Sequence, residues 1–205
     1  MKRTNSKQIP IGKKGLILCE GETETNYFQG LTTQDKYKRK FAGVGVEVYK
    51  PKNHSPVGLV TEAKRRIREA KSTKSPFNFV WIVFDKDGHQ NIPKAFSDAK
   101  DVKNPPIHVA FSVTCFEYFI LMHFTKTTKA FEKCDDVIFE LKKYFSNYEK
   151  SRNLFNDLKE MHNVACENSE WLCERCEDDI QNGKRVYELS SYTNVHKLID
   201  ALNQL

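Results

Sequence analysis

Short apolar runs alternate with amphipathic stretches through the first 125 residues, and the alternation predicts an architecture. Gly15-Leu-Ile-Leu-Cys19 is a first strand. From Thr23 to about Lys40 the apolar residues Tyr27, Phe28, Leu31 and Tyr37 recur at spacings nearer a helix than a strand. Val44-Gly-Val-Glu-Val-Tyr49 alternates and carries β-branched residues, the pattern of a second strand. Pro56 opens a helix through Lys74, with Val57, Val60, Ala63, Ile67 and Ala70 along one face. Phe79-Val-Trp-Ile-Val-Phe84 is apolar throughout, as a central parallel strand buried on both faces should be. A helix over Ile92–Lys100 and a strand over Ile107–Val113 complete the series. Strands and helices in this order call for right-handed crossovers and a mainly parallel four-stranded sheet with helices on its faces. Beyond Cys115 the strand signal vanishes. Phe116–Phe124, Asp135–Phe145, Arg152 to about Asp179, and Val195–Leu205 all carry helical patterns. The expected organisation is a basic arm over 1–14, an α/β core over 15–125, and a helical C-terminal part over 126–205 packed on that core.

Composition narrows the class. The chain has 205 residues, and its 14 Phe, 8 Tyr and 2 Trp supply enough aromatic surface to bury for a folded domain. No apolar run approaches the ~20 residues of a membrane span, and MKRTNSKQ is not followed by a signal-peptide core. A cytoplasmic protein with no membrane partner is therefore expected. The formal net charge is +6, but residues 1–76 hold 17 basic and 7 acidic residues and the remainder is acidic in balance. A basic front half suits an anionic partner such as nucleic acid, although Lys-rich helices are also ordinary solvated faces. Six cysteines lack the density of a disulfide scaffold, so reduced thiols are expected, with Cys19 and Cys115 as small buried residues. Cys173-Glu-Arg-Cys176 has metal-ligand spacing without a second pair; His162 and His196 are the nearest completing ligands.

The informative chemistry sits where the strands end. Ligands of parallel sheets bind at the carboxyl ends of strands, beside a topological switch point. Strand one delivers Glu20-Gly-Glu-Thr-Glu24, strand three delivers Asp85-Lys-Asp87-Gly88, and strand four leads to Glu117. Carboxylates crowded at one sheet end repel unless some are protonated or a cation is bound. Residues two apart on extended chain point to the same side, so Asp85 and Asp87 can flank one hard cation or each hold one of a pair. All-oxygen ligands favour Mg²⁺, Mn²⁺ or Ca²⁺ over zinc. Gly21 allows close approach of backbone to a phosphate, and a helix starting near Thr23 points its positive end there. Taken singly, Asp-x-Asp is common in turns and Thr23 could be a helix cap. Their order on successive strands is what points to a metal site.

These residues carry a resemblance. Leu-Ile-Leu-Cys-Glu20-Gly-Glu-Thr-Glu24-Thr-Asn-Tyr-Phe28, Val-Phe-Asp85-Lys-Asp87-Gly-His89 and Cys115-Phe-Glu117-Tyr-Phe-Ile-Leu-Met-His123-Phe124 resemble the RloB family, which includes the second component of the AbiL abortive-infection system. The resemblance runs from about Gly15 to Leu205, and Thr193-Asn-Val-His-Lys-Leu-Ile199 is similar to the family's closing helix. It implies a Toprim-like fold and a Mg²⁺- or Mn²⁺-dependent site. Glu20 matches the Toprim glutamate, with Glu24 close by; Asp85 and Asp87 match the metal-binding aspartates, and Glu117 completes the cluster. Lys150, in Tyr148-Glu-Lys-Ser, resembles a family Tyr-x-Lys stretch and would stabilise phosphate charge, as a lysine is thought to do in the related OLD nucleases. Ser112-Val-Thr114 replaces the frequent Ser-Asn-Pro, and Lys86 and Gly88 stand within a frequent Asp-Arg-Asp-Glu-His. Neither departure removes a carboxylate.

The function expected is a metal-dependent nuclease cutting RNA or DNA, as an effector of an anti-phage system, with catalytic residues Glu20, Glu24, Asp85, Asp87, Glu117 and Lys150. Glu20, Asp85 and Asp87 would hold the metal. Lys13, Lys14, Arg65, Arg66 and His89 would contact nucleic acid. The alternative is a non-catalytic subunit that binds nucleic acid or an ATPase. The related systems pair such a protein with an ABC-type ATPase, and the chain has no GxxxxGK[ST] loop of its own. A homo-oligomer is compatible with the sequence. His123, on an apolar helix, reads as a hydrogen-bonded core histidine.

Overall fold

The computed structural model describes residues 14–34 and 45–204. Its elements are β1 (Lys14–Cys19), α1 (Glu22–Thr32), β2 (Gly45–Tyr49), α2 (Pro56–Ser72), β3 (Phe79–Asp85), α3 (Ile92–Lys100) and β4 (Ile107–Val113). The C-terminal part adds α4 (Glu117–Leu121), α5 (Cys134–Leu141), α6 (Phe155–Leu158), α7 (His162–Arg175), α8 (Glu177–Gln181), β5 (Tyr192–Thr193) and α9 (Val195–Asn203). The chain is an α/β fold with a mainly parallel sheet, as the alternation predicts. The expected tail of the first helix and the start of the second strand lie outside the described residues, as do residues 1–13.

The sheet has five strands in the order β2-β1-β3-β4-β5, one more than the sequence pattern shows. β5 is two residues long and runs antiparallel to β4, pairing Thr193 with Ser112 and Tyr192 with Val113. Side chains tie it down where the ladder is short. Asn194 accepts from the Phe111 amide at 2.7 Å and donates to the Val109 carbonyl at 3.1 Å, while the Ser112 and Thr193 hydroxyls lie 2.9 Å apart.

β3 is central. Its partners β1 and β4 run parallel to it, with Leu18 beside Ile82 and Ile82 beside Val109. Val80, Ile82 and Phe84 alternate with Trp81 and Val83, and all five are buried, which explains the unbroken apolar run. α1 carries the chain from β1 outward to β2, whereas α2 carries it back across β1 to β3. Right-handed crossovers in opposite directions lie on opposite faces. α2 and α3 accordingly pack together, and α1 packs with the C-terminal helices on the other face. There Tyr27 of α1 hydrogen-bonds His123 at 3.2 Å and His162 at 2.9 Å. His123 Nδ1 donates to the Phe119 and Ile120 carbonyls, the core role expected of it. Carbonyls only accept, so its Nε2 accepts from Tyr27 and Tyr27 in turn accepts from His162.

The long helix expected from Arg152 to Asp179 is three helices. A 3₁₀ turn at Lys159–Met161 separates α6 from α7, and Cys176 stands between the end of α7 and the start of α8. The break seats α6 beneath α1: a Cβ on Gly30 would lie 2.5 Å from Phe155 Cβ. Gly30→Ala gains about 1 kcal/mol of helix propensity but overpacks a contact with no flexible end to move. We expect a net loss of about 1–2 kcal/mol, read from the denaturant midpoint. Among the described residues no helix is long and apolar enough to cross a membrane.

Candidate metal centre at the carboxyl edge of the sheet

The chain leaves β1 toward one edge of the sheet and, after α2, continues from β3 toward the other. The switch point therefore lies between the ends of β1 and β3, where Glu20 and Asp85 stand. The Glu20 amide continues the ladder to the Val83 carbonyl at 3.0 Å, and the Asp85 amide donates to Glu20 Oε2 at 3.3 Å. Asp85 is fixed on both oxygens. Its Oδ1 accepts from the Asp87 amide at 3.1 Å and its Oδ2 from the Phe116 amide at 3.2 Å. The second bond reaches the β4–α4 turn, which brings Glu117 to the same place.

Six carboxylates line one cleft of about 430 Å³ here: Glu20, Glu24, Asp85, Asp87 and Glu117, with the exposed Glu22 at the mouth and Lys150 and Ser151 beside them. Glu24 and Glu117 are buried, Glu20 and Asp85 half-buried, and Asp87 exposed. Gly21 is required for Glu24 to sit as it does, since a Cβ there would lie 2.3 Å from Glu24 Oε2. Burial pushes the Glu24 carboxyl up to about 7; the neighbouring Glu117 and Glu20 charges add to the rise and Lys150 opposes it. Burial, then the Glu20 charge, hold Asp85 well above the usual carboxylate range. Glu20 is raised by burial too, against the lowering influence of His89.

Glu117 is held from behind. Tyr148 Oη donates to its Oε1 at 2.6 Å, and Cys134 Sγ lies 3.2 Å from its Oε2. Burial, with the Glu117 charge second, raises Tyr148 and keeps it a protonated donor. Tyr148→Phe strands a buried carboxylate oxygen and should cost about 2 kcal/mol in denaturation at neutral pH.

The other candidates are distributed differently. His89, expected to touch nucleic acid, turns its Nε2 to Glu20 Oε1. Its nitrogen and the Glu20 and Asp85 oxygens form a cluster with all ligand atoms within 4.8 Å of one another. Lys14 is not at the cluster. It begins β1 at the opposite edge of the sheet, about 20 Å away along the strand, and pairs with Glu47 at 3.2 Å over the Phe77 ring. Arg66 pairs with Glu47 and donates to Tyr49 Oη at 3.1 Å, so it is held against β2. Arg65 is engaged by Glu62 and Glu69 on its own helix and lines a neighbouring cleft of about 530 Å³. Both guanidinia have carboxylate partners away from the acidic cluster. Lys13 lies outside the described residues.

Two basic residues missing from the sequence-based set enter the cleft, Lys50, which also lines the Arg65 cleft, and His54, along with Glu22, Thr23 and Ser151. Lys50 and His54 follow β2, and the rule that every parallel strand ends at the same edge could have found them. The cysteines also differ. Cys115 and Cys134 are joined as a disulfide, contrary to the expected reduced, unpaired Cys115. Cys173 Sγ reaches the Thr193 carbonyl at 3.3 Å and Cys176 Sγ the Ser191 carbonyl at 3.5 Å, so this pair fastens the β5 segment to α7.

The residues fit a hard divalent cation. Among the described residues no lysine or arginine forms an ion pair with any of these carboxylates, and burial and mutual repulsion push Glu24 and Asp85 above the usual carboxylate range. Oxygen donors dominate the set, with one imidazole. A search of curated proteins found no match, and neither did a search of solved structures. A scan against family models matched that of the RloB-like protein over residues 15–202, a span that contains all of the sheet but its first residue and every carboxylate of the cleft. The chain thus belongs to the RloB-like protein family.

Proposed function

We propose that the chain is a divalent-metal-dependent phosphodiesterase acting on RNA or DNA. The observation that carries this reading is the convergence of Glu20, Asp85 and Glu117 from three parallel strand ends on one cleft, with too little positive charge among them. Glu20 and Asp85, with Asp87 at the rim, would hold Mg²⁺ or Mn²⁺. The bound ion would supply an activated water and neutralise charge on the phosphate.

The protein's own groups have separate tasks. Glu24, titrating near neutrality, is suited to move a proton to or from a reacting oxygen. Lys150 and Lys50 line the cleft and offer ammonium groups to phosphate oxygens. Gly21 caps α1 without a side chain, so the first-turn amides face an incoming phosphate. His89 orients the Glu20 carboxylate. The cleft at Tyr49, Lys50 and Lys52 continues this positive edge for a flanking stretch of chain. An ABC-type ATPase partner and a role in anti-phage defence belong to the same reading and stand on the family resemblance alone.

The test is incubation of the purified chain with end-labelled RNA and DNA in Mg²⁺, in Mn²⁺ and in chelator. Cleavage of one substrate, abolished by chelator, is expected. Binding without cutting in either metal would instead favour a non-catalytic subunit.

A further inference from the structure

Behind the acidic cleft, the two sulfurs of Cys115 and Cys134 meet against Glu117. Cys115 lies in the turn after β4, and Cys134 is the first residue of α5. Both are buried, yet Glu117 and Lys150 line the cleft, and Cys134 Sγ lies 3.2 Å from the first and 4.0 Å from the second. Lys150 lies on one side of that sulfur and the Glu117 carboxylate, closer, on the other, so the carboxylate is placed to take the thiol proton as the sulfur attacks an oxidant.

The state of the sulfurs changes what Glu117 can do. A disulfide sulfur carries no hydrogen, so in the bridged form Glu117 Oε2 has a sulfur beside it that cannot donate. A thiol at the same position donates S–H to that oxygen. With Tyr148 on Oε1, the reduced form then satisfies both oxygens, whereas the bridged form leaves Oε2 without this donor.

We propose that Cys115 and Cys134 are a reversible redox pair that sets the availability of Glu117 to the cation site, the bridged form being the one that binds divalent metal more tightly. The coupling rests on the metal-binding reading of the acidic cluster. Hydrogen peroxide, small enough for so buried a pair, is the oxidant. The Cys134 sulfur attacks a peroxide oxygen, the O–O bond breaks, and water leaves a sulfenic acid. The Cys115 sulfur then displaces the second oxygen as water. Two thiols have lost two electrons, and their two protons end in two waters. A dithiol reverses the change by exchange, returning both hydrogens and becoming a disulfide itself.

The experiment uses the full chain stripped of metal, one sample treated with hydrogen peroxide and one with dithiothreitol, both then desalted. Denaturing alkylation and intact mass report the bridge; calorimetric titration with Mn²⁺ reports the site. Peroxide should produce the Cys115–Cys134 bridge and tighten Mn²⁺ binding about tenfold, the effect of one hydrogen bond to a carboxylate. Cys115→Ser keeps the Cys134 thiol and Cys134→Ser puts a permanent hydroxyl donor in its place. Both should show the weaker, reduced-form affinity after either treatment. Failure of peroxide to form the bridge, or equal affinity in bridged and reduced wild type, overturns the proposal. Absence of Mn²⁺ binding in both forms overturns it together with the metal-site reading. A redox-dependent shift in a chain that cuts no nucleic acid sustains the coupling and sinks only the nuclease.

Discussion

Asp85→Asn should lower metal-dependent cleavage on the order of 10³-fold at saturating Mg²⁺, the scale of removing one preorganised charge from a reaction centre. The substitution keeps the shape of the side chain and removes its charge at the switch point of the sheet. It also has a structural cost, because both carboxylate oxygens accept backbone N–H groups, from Asp87 and from Phe116. An amide offers one oxygen and one NH₂, so one of those amides meets a donor. That penalty is about 1–3 kcal/mol and does not depend on pH. What the variant gains does depend on pH, since Asp85 in the metal-free protein ionises against burial and against Glu20. In chelator the variant should be less stable than wild type near pH 5 and should recover toward it by pH 8. Steady-state cleavage and denaturant titration together check the prediction. Activity within tenfold of wild type, in a folded variant, would remove Asp85 from the centre.

How much of this was legible beforehand depends on how each feature is encoded. β1 and β3 announce themselves because strands buried on both faces are apolar almost throughout, and no surface helix has that pattern; β4 shows through the alternation of Ile107, Val109, Phe111 and Val113 around an exposed His108. The acidic cluster was legible for a related reason. Glu20, Asp85 and Glu117 follow such strands, and parallel topology brings all their ends to one edge. β5 could not be seen, since two residues carry no period and its place is held by Asn194 side-chain bonds rather than by its own pattern. Nor could the break between α6 and α7. Leu154, Phe155, Leu158, His162, Ala165, Ser169 and Leu172 form one continuous helical stripe with no Gly or Pro, and packing under α1 interrupts it. The basic residues misled because charge composition says nothing of partners: Lys14, Arg65 and Arg66 each meet a glutamate of β2 or α2. The Cys115–Cys134 bridge spans a separation of 19 residues with no motif to flag it, and only the seating of α5 against the β4–α4 turn reveals it.

Glu24 offers the sharpest measurement on the cluster itself. Its carboxyl is held at about 7 in the folded chain against an ordinary value of 4.5. Between those values the folded state holds a proton that the unfolded state has lost, so rising pH favours unfolding. The contribution is fully present below about pH 4.5 and is lost as pH rises through 7; by pH 8 it totals about 3 kcal/mol. The side chain is only 4% exposed, so solvent does little to screen the effect. The raw stability profile conceals this. Burial holds His123 down to about 3 and His196 to about 4, and such histidines make stability rise with pH up to about 6.5. A difference measurement cancels them. In chelator, the stability of Glu24→Gln minus that of wild type should climb by about 3 kcal/mol between pH 4 and pH 8, with most of the climb complete by pH 7.5. Adding Mn²⁺ at pH 8 should close part of the gap, because a cation in the cleft favours the ionised carboxylates and gives a neutral amide less. Denaturant titration at several pH values supplies both curves, and a flat difference would mean that Glu24 ionises as it would in water, with no charge waiting for a metal.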